Sequence, residues 1–219
     1  MKFLSNGIAQ RLSPDTRQRL GEICETVELA TDQQLEPDDS GTHPVYFLSD
    51  AVVSLWIEPE PGGPRLALSL TGWEGMVGLS QLWPVAATHS VARVLKPGLA
   101  FRTSAPALQA LLSCSTDLAQ EISRFLWTQT LEMAQLSARL QLGDIRTRLA
   151  LWLHLLQVKT GSQTLQITQQ ALADMMGTRR VSITLTAGSL QSEGIVALRR
   201  GEIRILDPDA LARAARLMR

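Results

Sequence analysis

The pattern of apolar and polar positions divides the chain into three regions of different periodicity. Between Thr26 and Thr103, apolar residues fall in short runs that are continuous or alternate with polar ones, which is typical of β-strands. From about Ser115 to Leu142, apolar positions recur at spacings of three and four, the period of an α-helix. Beyond this point the pattern predicts short helices and two β-rich runs.

The first region predicts a β-sandwich or jelly-roll barrel, because many short strands with turns every 8–12 residues or so are typical of these folds. A helical segment at 6–24, in which Ser13-Pro14-Asp15 can begin a helix, precedes the strands, and Ser104-Ala105-Pro106 begins helical structure after them. The predicted strands are Thr26–Leu29, Val45–Leu48, Ala51–Ile57, Leu66–Leu70, Ser90–Leu95 and Leu99–Thr103. Turn signals separate them at Glu36–Asp39, Ser49–Asp50 and Pro59–Pro64.

The second region predicts one long helix with an apolar seam. It contains no Gly or Pro, and its length corresponds to roughly 40 Å at 1.5 Å per residue. A heptad-like stripe on such a helix favours pairing with a second copy, and the alternative is that the stripe packs on the chain's own β-domain. The predicted dimer seam comprises Leu118, Ile122, Phe125, Met133 and Leu136, with Gln129 and Leu140 continuing the spacing.

In the third region, Thr168–Val196 predicts two short helices joined by a tight turn. A first helix runs from about Gln169 to Met176. Gly177 ends it, because glycine readily takes the left-handed conformation that a helix end requires. A second helix from about Arg179 to Ser192 has an apolar stripe, and this stripe consists of Ile183, Ala187 and Leu190. The pair is a candidate helix-turn-helix.

The N-terminal face of the second helix is polar and cationic, as in a recognition helix that reaches bases and phosphates with its first residues. Two β-rich runs, Ile195–Leu198 and Glu202–Leu206, surround Arg199-Arg200-Gly201 and predict the hairpin of a winged helix. Asp207-Pro208 begins a last helix. The predicted DNA-contacting residues are Thr168, Gln169, Thr178, Arg179, Arg180, Val181, Ser182, Thr184, Arg199 and Arg200.

The charge distribution agrees with a DNA-binding C-terminal part. From Asp144 onward the chain has 11 Lys and Arg against 6 Asp and Glu, a net charge of +5, and the total of 21 of each leaves −5 for residues 1–143. No apolar run is long enough to span a membrane and no secretory signal is evident, so we expect a cytoplasmic protein without a membrane partner. Cys24 and Cys114 fit free thiols in a reducing compartment.

The order of β-roll, long helix and winged helix resembles the Crp/Fnr family of bacterial transcription regulators over nearly the whole chain. The resemblance is most specific over Thr168–Leu206, where Leu-Ala-x-x-x-Gly-x-x-Arg, a recognition helix, Leu-x-x-x-Gly-Ile, a wing and Asp-Pro occur in the family's order. It implies an α+β fold: a β-roll (jelly-roll-like) sensor domain at 1–114, a dimerisation helix at 115–143 and a winged helix-turn-helix at 144–219. It also implies a homodimer that binds double-stranded DNA and responds to a small-molecule effector, with RNA polymerase as a further candidate partner.

The stretch Gly75-Met76-Val77-Gly78-Leu79 resembles the nucleotide cassette of that family's β-roll. In cyclic-nucleotide-binding members, a Glu at the position of Met76 holds the ribose hydroxyl and a later Arg holds the phosphate. Here the Arg position is Ala86 or Ala87, depending on a one-residue gap. Since a thioether and a methyl cannot replace those groups, we expect no cyclic nucleotide and leave the effector unknown. The candidate effector pocket comprises Gly75, Met76, Val77, Gly78, Leu79 and Thr88.

The recognition helix also departs from the family. Arg180 matches the family's base-reading Arg, but Val181 stands where many members have Glu and Leu185 where some have a second Arg. The target sequence should therefore differ from the best-known family site.

No cofactor or metal is expected, because two cysteines cannot hold an iron–sulfur cluster by thiolates alone and the three histidines are scattered. The sequence has no Gly-rich phosphate loop after a strand and no nucleophile elbow, so we expect no enzymatic activity. The leading hypothesis is a dimeric, sequence-specific DNA-binding transcription regulator. The alternative is a ligand-binding β-roll protein whose winged helix makes protein–protein contacts.

Overall fold

The computed structural model describes residues 5–35, 44–58, 63, 65–82 and 90–217. Within them the helices are α1 (Gly7–Arg11), α2 (Pro14–Glu22), α3 (Ala105–Leu112), α4 (Thr116–Leu142), α5 (Ile145–Thr160), α6 (Gln169–Met175), α7 (Arg180–Ser192) and α8 (Pro208–Ala214). The strands are β1 (Glu25–Leu29), β2 (Val45–Leu48), β3 (Val52–Ile57), β4 (Leu66–Thr71), β5 (Met76–Val77), β6 (Ser90–Lys96), β7 (Gly98–Thr103), β8 (Thr164–Leu165), β9 (Val196–Arg199) and β10 (Glu202–Ile205). The predicted turns at Glu36–Asp39 and, apart from Gly63, at Pro59–Pro64 lie outside the described residues.

The chain divides into two compact units. One comprises Met1–Trp56 and Ser69–Glu132, and the other comprises Ile57–Leu68 and Met133–Arg219. Helix α4 contributes residues to both units.

Two sheets form the β-domain: an antiparallel sheet with strand order β1-β7-β2-β5 and a second sheet with strand order β4-β3-β6. Strand β2 shows why these sequences form a layered structure, since all four of its residues are buried. Alternate side chains of a strand point to opposite faces. Val45 and Phe47 accordingly join a core shared with α1–α4, whereas Tyr46 and Leu48 join a core that includes Val53 of the other sheet. The predicted mixed fold with an N-terminal β-roll is thereby confirmed.

Local signals account for most helix boundaries. Ser13 caps α2 with its Oγ, and Pro14 occupies the first helical position, so the predicted helix start at Ser13-Pro14 is confirmed and divides the helical segment at 6–24 into α1 and α2. Ser104, Asp144 and Asp207 accept backbone hydrogen bonds at the starts of α3, α5 and α8. Strands β5 and β8 were not predicted, because two residues are too few to show a periodicity.

The first half of the predicted dimer seam needs correction. Leu118, Ile122 and Phe125 are buried in the core of their own unit, against helices α1–α3 and the sheet that contains β2. The periodicity of α4 was read correctly, but it could not show whether the stripe faces a second copy or the chain's own sheet. Met133 is half-buried and Leu136 is buried, and their place in a dimer stays a prediction.

Phe125 lies so close to the loop before β5 that only glycine fits there. A Cβ built on Gly75 would lie 2.1 Å from Cε2 of Phe125. The carbonyl of Gly75 accepts hydrogen bonds from the Asn6 side chain at 2.8 Å and from the Leu48 amide at 3.1 Å. The aromatic ring and these hydrogen bonds together fix the loop against α4.

We expect Phe125→Ala to lower the free energy of unfolding by about 3–5 kcal/mol, because it leaves a cavity against Gly75 in a well-packed core. Urea unfolding followed by circular dichroism measures this loss. Thr128→Ala on the exposed side of α4 is the control, with a change within about 0.5 kcal/mol. A Phe125→Ala protein of unchanged unfolding free energy that falls apart into monomers would instead support the seam predicted from the sequence.

Candidate nucleic-acid interface

Helices α6 and α7 form the predicted helix-turn-helix. The side chain of Thr168 caps α6 by accepting a hydrogen bond from the Ala171 amide at 3.0 Å. Gly177 has φ 58°, and the Thr178 amide donates to the Ala173 carbonyl at 2.9 Å. This pattern of a left-handed glycine and a backward hydrogen bond ends a helix within one turn. The chain therefore reverses sharply before α7.

Helix α7 is anchored by its apolar face. Ile183, Ala187 and Leu190 are fully buried, as their spacing predicts. Ala173 of α6 is also fully buried, and its small side chain permits a close crossing of the two helices. With this stripe inward, the opposite side of α7 faces solvent.

Two arginines of α5 hold the helix-turn-helix at both ends of α7. Arg148 donates from Nη2 to the Met176 carbonyl, next to the turn, at 2.8 Å. Arg146 donates from both terminal nitrogens to the two carboxylate oxygens of Glu193, each at 2.6 Å, and also reaches Ser189 Oγ at 3.1 Å. Sequence reasoning missed these positioning contacts, because their partners lie 28 to 47 residues away and leave no local signal.

The Arg146–Glu193 pair changes the acidity of both groups. Hydrogen bonding from Arg146 lowers the pKa of Glu193 below its ordinary value of 4.5, and hydrogen bonding to Glu193 raises the pKa of Arg146. A bidentate guanidinium–carboxylate pair also restricts geometry more than a single contact does. It fixes the C-terminal end of α7 relative to α5.

The solvent side of α7 carries most of the predicted contact residues. Arg180, Val181 and Thr184 are exposed, and Ser182 is half-buried. Arg179 is exposed in the N-cap position rather than in the helix, so α7 begins one residue later than predicted. Of the remaining predicted residues before the recognition helix, Thr168 is exposed, and Gln169 and Thr178 are half-buried.

Thr184 links the two helices on this surface. Its hydroxyl can donate a hydrogen bond to Gln169 Oε1 at 2.7 Å or to the Arg180 carbonyl oxygen at 3.1 Å. The first residue of α6 and the second turn of α7 thus form one continuous polar surface.

Arg180 is available for an external partner. An ion pair with the nearby Asp174 would occupy its guanidinium, but the Asp174 carboxylate instead accepts a hydrogen bond from Gln170 at 2.7 Å. Within the described residues, the Arg180 side chain has no hydrogen bond or ion pair. It extends from the N-terminal end of α7, where the helix dipole adds partial positive charge.

Strands β8, β10 and β9 form a three-stranded sheet whose β9–β10 hairpin is the predicted wing. Arg199 lies opposite Glu202 in the strand register of the hairpin, and the turn between the strands contains Gly201 with φ 75°. Arg199, Arg200 and Arg204 are exposed. The unit that contains α7 therefore offers a second group of arginines beyond the recognition helix.

The cassette-like stretch Gly75–Leu79 contributes side chains to the cores of the β-domain. Met76 is buried in the core and pairs with Phe47 across the β2–β5 register. Gly78 has φ 92°, and Leu79 packs against the same core. Val77 packs against the core between the two sheets. Thr88, Ala86, Ala87, His43 and His89 lie outside the described residues.

The other residues singled out as chemically reactive are scattered. Burial raises the pKa of the Cys24 thiol to about 12, and Cys114 is exposed. Burial, together with the charge of Arg139, lowers the pKa of His154. In the described part of the chain, no three His, Cys, Asp or Glu residues are grouped as a metal site. No helix in that part is both long and apolar enough to cross a bilayer.

We expect Glu193→Gln to reduce the free energy of unfolding near neutral pH, where the wild-type carboxylate is charged and paired with Arg146. Because the folded-state pKa is lowered, this contribution is present above pH 4.5 or so and is lost as the pH falls through the folded-state value. The difference between variant and wild type should be small, since both side chains are partly exposed, and should vanish in acid. Unfolding at several pH values measures it, and a difference independent of pH would contradict the assigned pair.

Comparison with known proteins agrees with this geometry. Residues 147–214 match the family model of the Crp-like helix-turn-helix domain. A search of curated proteins finds no match. Solved structures similar to the chain include a protein from Eubacterium rectale assigned to the crp/fnr family, with 18% identity, TM-score 0.73, and coverage of 94% of this chain and 96% of that one.

Two further solved structures are similar over most of their length. A CRP-family transcriptional regulator from Thermus thermophilus has 21% identity and TM-score 0.71, over 86% of this chain and 96% of that one. The c-di-GMP responsive global regulator CLP from Xanthomonas campestris has 21% identity and TM-score 0.72, over 89% of this chain and 100% of that one. The resemblance inferred from the sequence is thus confirmed: residues 147–214 are a Crp-like helix-turn-helix domain, and the chain has the fold of the Crp/Fnr transcription regulators.

Proposed function

We propose that this protein is a homodimeric, sequence-specific DNA-binding transcription regulator. The observation that supports this most strongly is the arginine-rich solvent face of the DNA-binding fold. Arg179 and Arg180 are exposed at the start of the recognition helix, and Arg199 and Arg200 are exposed on the wing. Cationic side chains in this arrangement fit the phosphate backbone and the major groove of duplex DNA.

The two groups of arginines have different roles in this proposal. Arg180 reads a base, since a guanidinium at the start of a recognition helix can donate to both O6 and N7 of guanine. Arg199 and Arg200 neutralise phosphates beside the groove and add affinity without base preference. Thr168, Gln169, Thr178, Ser182 and Thr184 add polar contacts in this proposal, and a hydrogen bond joins Thr184 to Gln169.

Dimerisation uses the outward face of α4 rather than the stripe that its own unit buries. Trp127 is 65% exposed, and Leu126 and Leu131 are also exposed. Trp127 and Leu131 lie one helical turn apart, so they form a continuous apolar patch. Exposed aromatic patches of this kind mark protein–protein contacts, and tryptophan is frequent among the residues that dominate them.

We assign sensing to residues 1–114, pairing to 115–143 and DNA binding to 144–219. A cyclic nucleotide would need a polar or charged partner at the position of Met76. The Met76 side chain is instead buried among apolar neighbours. We therefore propose an effector of another class.

A second function, protein–protein contact through the winged helix, has one observation in its favour. Val181 and Leu185 are large apolar side chains exposed on α7. The exposed Arg179 and Arg180, which directly precede Val181, favour DNA, and a direct binding measurement with duplex DNA separates the two functions.

We expect the wild-type protein to sediment at about twice its chain mass of 24.0 kDa at micromolar concentration. Trp127→Asp should weaken the dimer by several kcal/mol, because it places an unpaired charge in the interface. Val158→Asp, which introduces the same charge on an exposed apolar position of α5, serves as the control and should leave the dimer intact. A monomeric wild type, or a Trp127→Asp protein that is fully dimeric, would contradict the assigned face.

We expect Arg180→Ala and Arg200→Ala to affect DNA binding differently. Arg180→Ala should weaken binding by about 1–3 kcal/mol per half-site and relax the preference at one base pair. Arg200→Ala should weaken specific and non-specific binding alike and lower the salt slope by about 1 per subunit. A randomised half-site library, bound at two salt concentrations, measures both effects.

The control for the arginine variants is Arg19→Ala, which removes the same charge from the other unit of the chain and should leave the base profile and salt slope unchanged. The base-reading role of Arg180 is wrong if Arg180→Ala keeps the wild-type profile at every position. The proposed function itself is wrong if the wild type binds no duplex from the library more tightly than the pool as a whole.

A further inference from the structure

The recognition helix exposes two large apolar side chains that its packing does not use. Val181 is 67% and Leu185 71% exposed, the highest values among the described large apolar side chains. The buried stripe of α7 lies on the other side of the helix. Because residues four apart share a helix face, Val181 and Leu185 form one patch with Cβ atoms about 5–6 Å apart. We call Val181 and Leu185 together the methyl patch, because their exposed ends are methyl groups.

The surroundings of the patch indicate what covers it. Arg180 immediately precedes Val181 and is exposed without a partner among the described residues. Thr184 immediately precedes Leu185 and places a hydroxyl on the same surface. A protein partner with an apolar anchor would have to bury this arginine, whereas a nucleic acid provides anions for it together with a groove for the helix. Charge complementarity therefore favours duplex DNA as the occupant.

Only one group on a base edge of the major groove matches an aliphatic side chain. The C5-methyl of thymine is apolar, and all other distinguishing groups there are hydrogen-bond donors or acceptors. Val181 and Leu185 can neither accept a hydrogen bond from cytosine N4 nor donate one to guanine. A base pair that presents only polar groups to them would be desolvated without compensation.

We propose that Val181 and Leu185 select pyrimidines that have a methyl group at C5. This inference rests on the proposed function and adds the base chemistry that the recognition helix prefers. Each half-site then combines the guanine read by Arg180 with thymines read by the methyl patch. Four residues correspond to about 6 Å along a helix axis, and stacked base pairs are about 3.4 Å apart, so we expect the two methyl groups to lie on different, nearby base pairs.

Since the patch senses the methyl group and not the base, it accepts thymine and 5-methylcytosine and discriminates against uracil and cytosine. The loss of binding on removing a methyl group can differ between the position read by Val181 and the position read by Leu185, because the leucine side chain is longer and more exposed. Replacing either with alanine should keep the fold, since both are exposed and alanine has a higher helix propensity.

The test uses the full-length protein and the best half-site from the randomised library, arranged as a palindromic duplex. Each thymine is replaced in turn by deoxyuridine, which removes only the methyl group, and binding is measured by fluorescence anisotropy. For wild type we expect deoxyuridine at two positions to weaken binding about fourfold per half-site, the factor that corresponds to burying one methyl or methylene group. At other thymines it should have no effect.

The variants then assign each methyl group to a side chain. Val181→Ala should lose the sensitivity to deoxyuridine at one of the two positions, and Leu185→Ala at the other. Leu206→Ala, at an exposed leucine that follows the wing, is the matched control and should retain both sensitivities. In a duplex with cytosine at a sensitive position, methylation of that cytosine at C5 should strengthen binding of the wild type about fourfold and should not strengthen binding of the matching variant.

The outcomes separate this inference from the function on which it rests. Tight, sequence-specific binding without any effect of deoxyuridine would overturn the methyl patch and leave the regulator function standing. Equal sensitivity in wild type, Val181→Ala and Leu185→Ala would also overturn it, because other residues would then contact the methyl groups. Absence of specific binding to any duplex would overturn the proposed function and this inference together.

Discussion

The orientation of the recognition helix depends on its fully buried stripe of Ile183, Ala187 and Leu190, supplemented by the hydrogen bonds that α5 donates to the turn before the helix and to the residue after it. Arg148 satisfies the carbonyl of Met176 at the point where the chain reverses. Arg146 engages both oxygens of Glu193, the residue that follows α7. The buried stripe anchors α7, and the directional contacts at its two ends further restrict its direction. These contacts hold the exposed N-terminal end of α7 at a defined position relative to α5.

The long helix α4 shows how much a periodic sequence determines. Its spacing of apolar residues predicted one uninterrupted helix, and the structure has one from Thr116 to Leu142. The spacing could not indicate what the stripe faces, because a sheet of the same chain and a second copy both bury apolar residues. Gly75, whose missing side chain admits the Phe125 ring, is separated from it by fifty positions. Contacts of this range leave no local trace in the sequence.

Elements with local causes were predicted well. Capping residues such as Asp144 and Asp207, the left-handed Gly177 and the stripe of α7 all act within a few positions of the chain. The DNA-facing residues could be proposed for the same reason, since a recognition helix places its contacts at fixed positions from the turn. The sequence could not show the hydrogen bonds from α5 that support the recognition helix. Arg146 and Arg148 have the spacing of ordinary surface cations on a helix, and their partners lie far away in the sequence.

The burial of Met76 restricts how the β-domain can evolve. This side chain is enclosed by the core of the unit and faces Phe47 across the sheet. A glutamate at this position would bury a carboxylate that strongly prefers water, and the group would become protonated or the core would open. Several neighbouring residues would have to change together before such an acid became tolerable. A single substitution to glutamate at this position is therefore costly, while the exposed residues of α7 and of the β9–β10 hairpin can vary one at a time without disturbing a core.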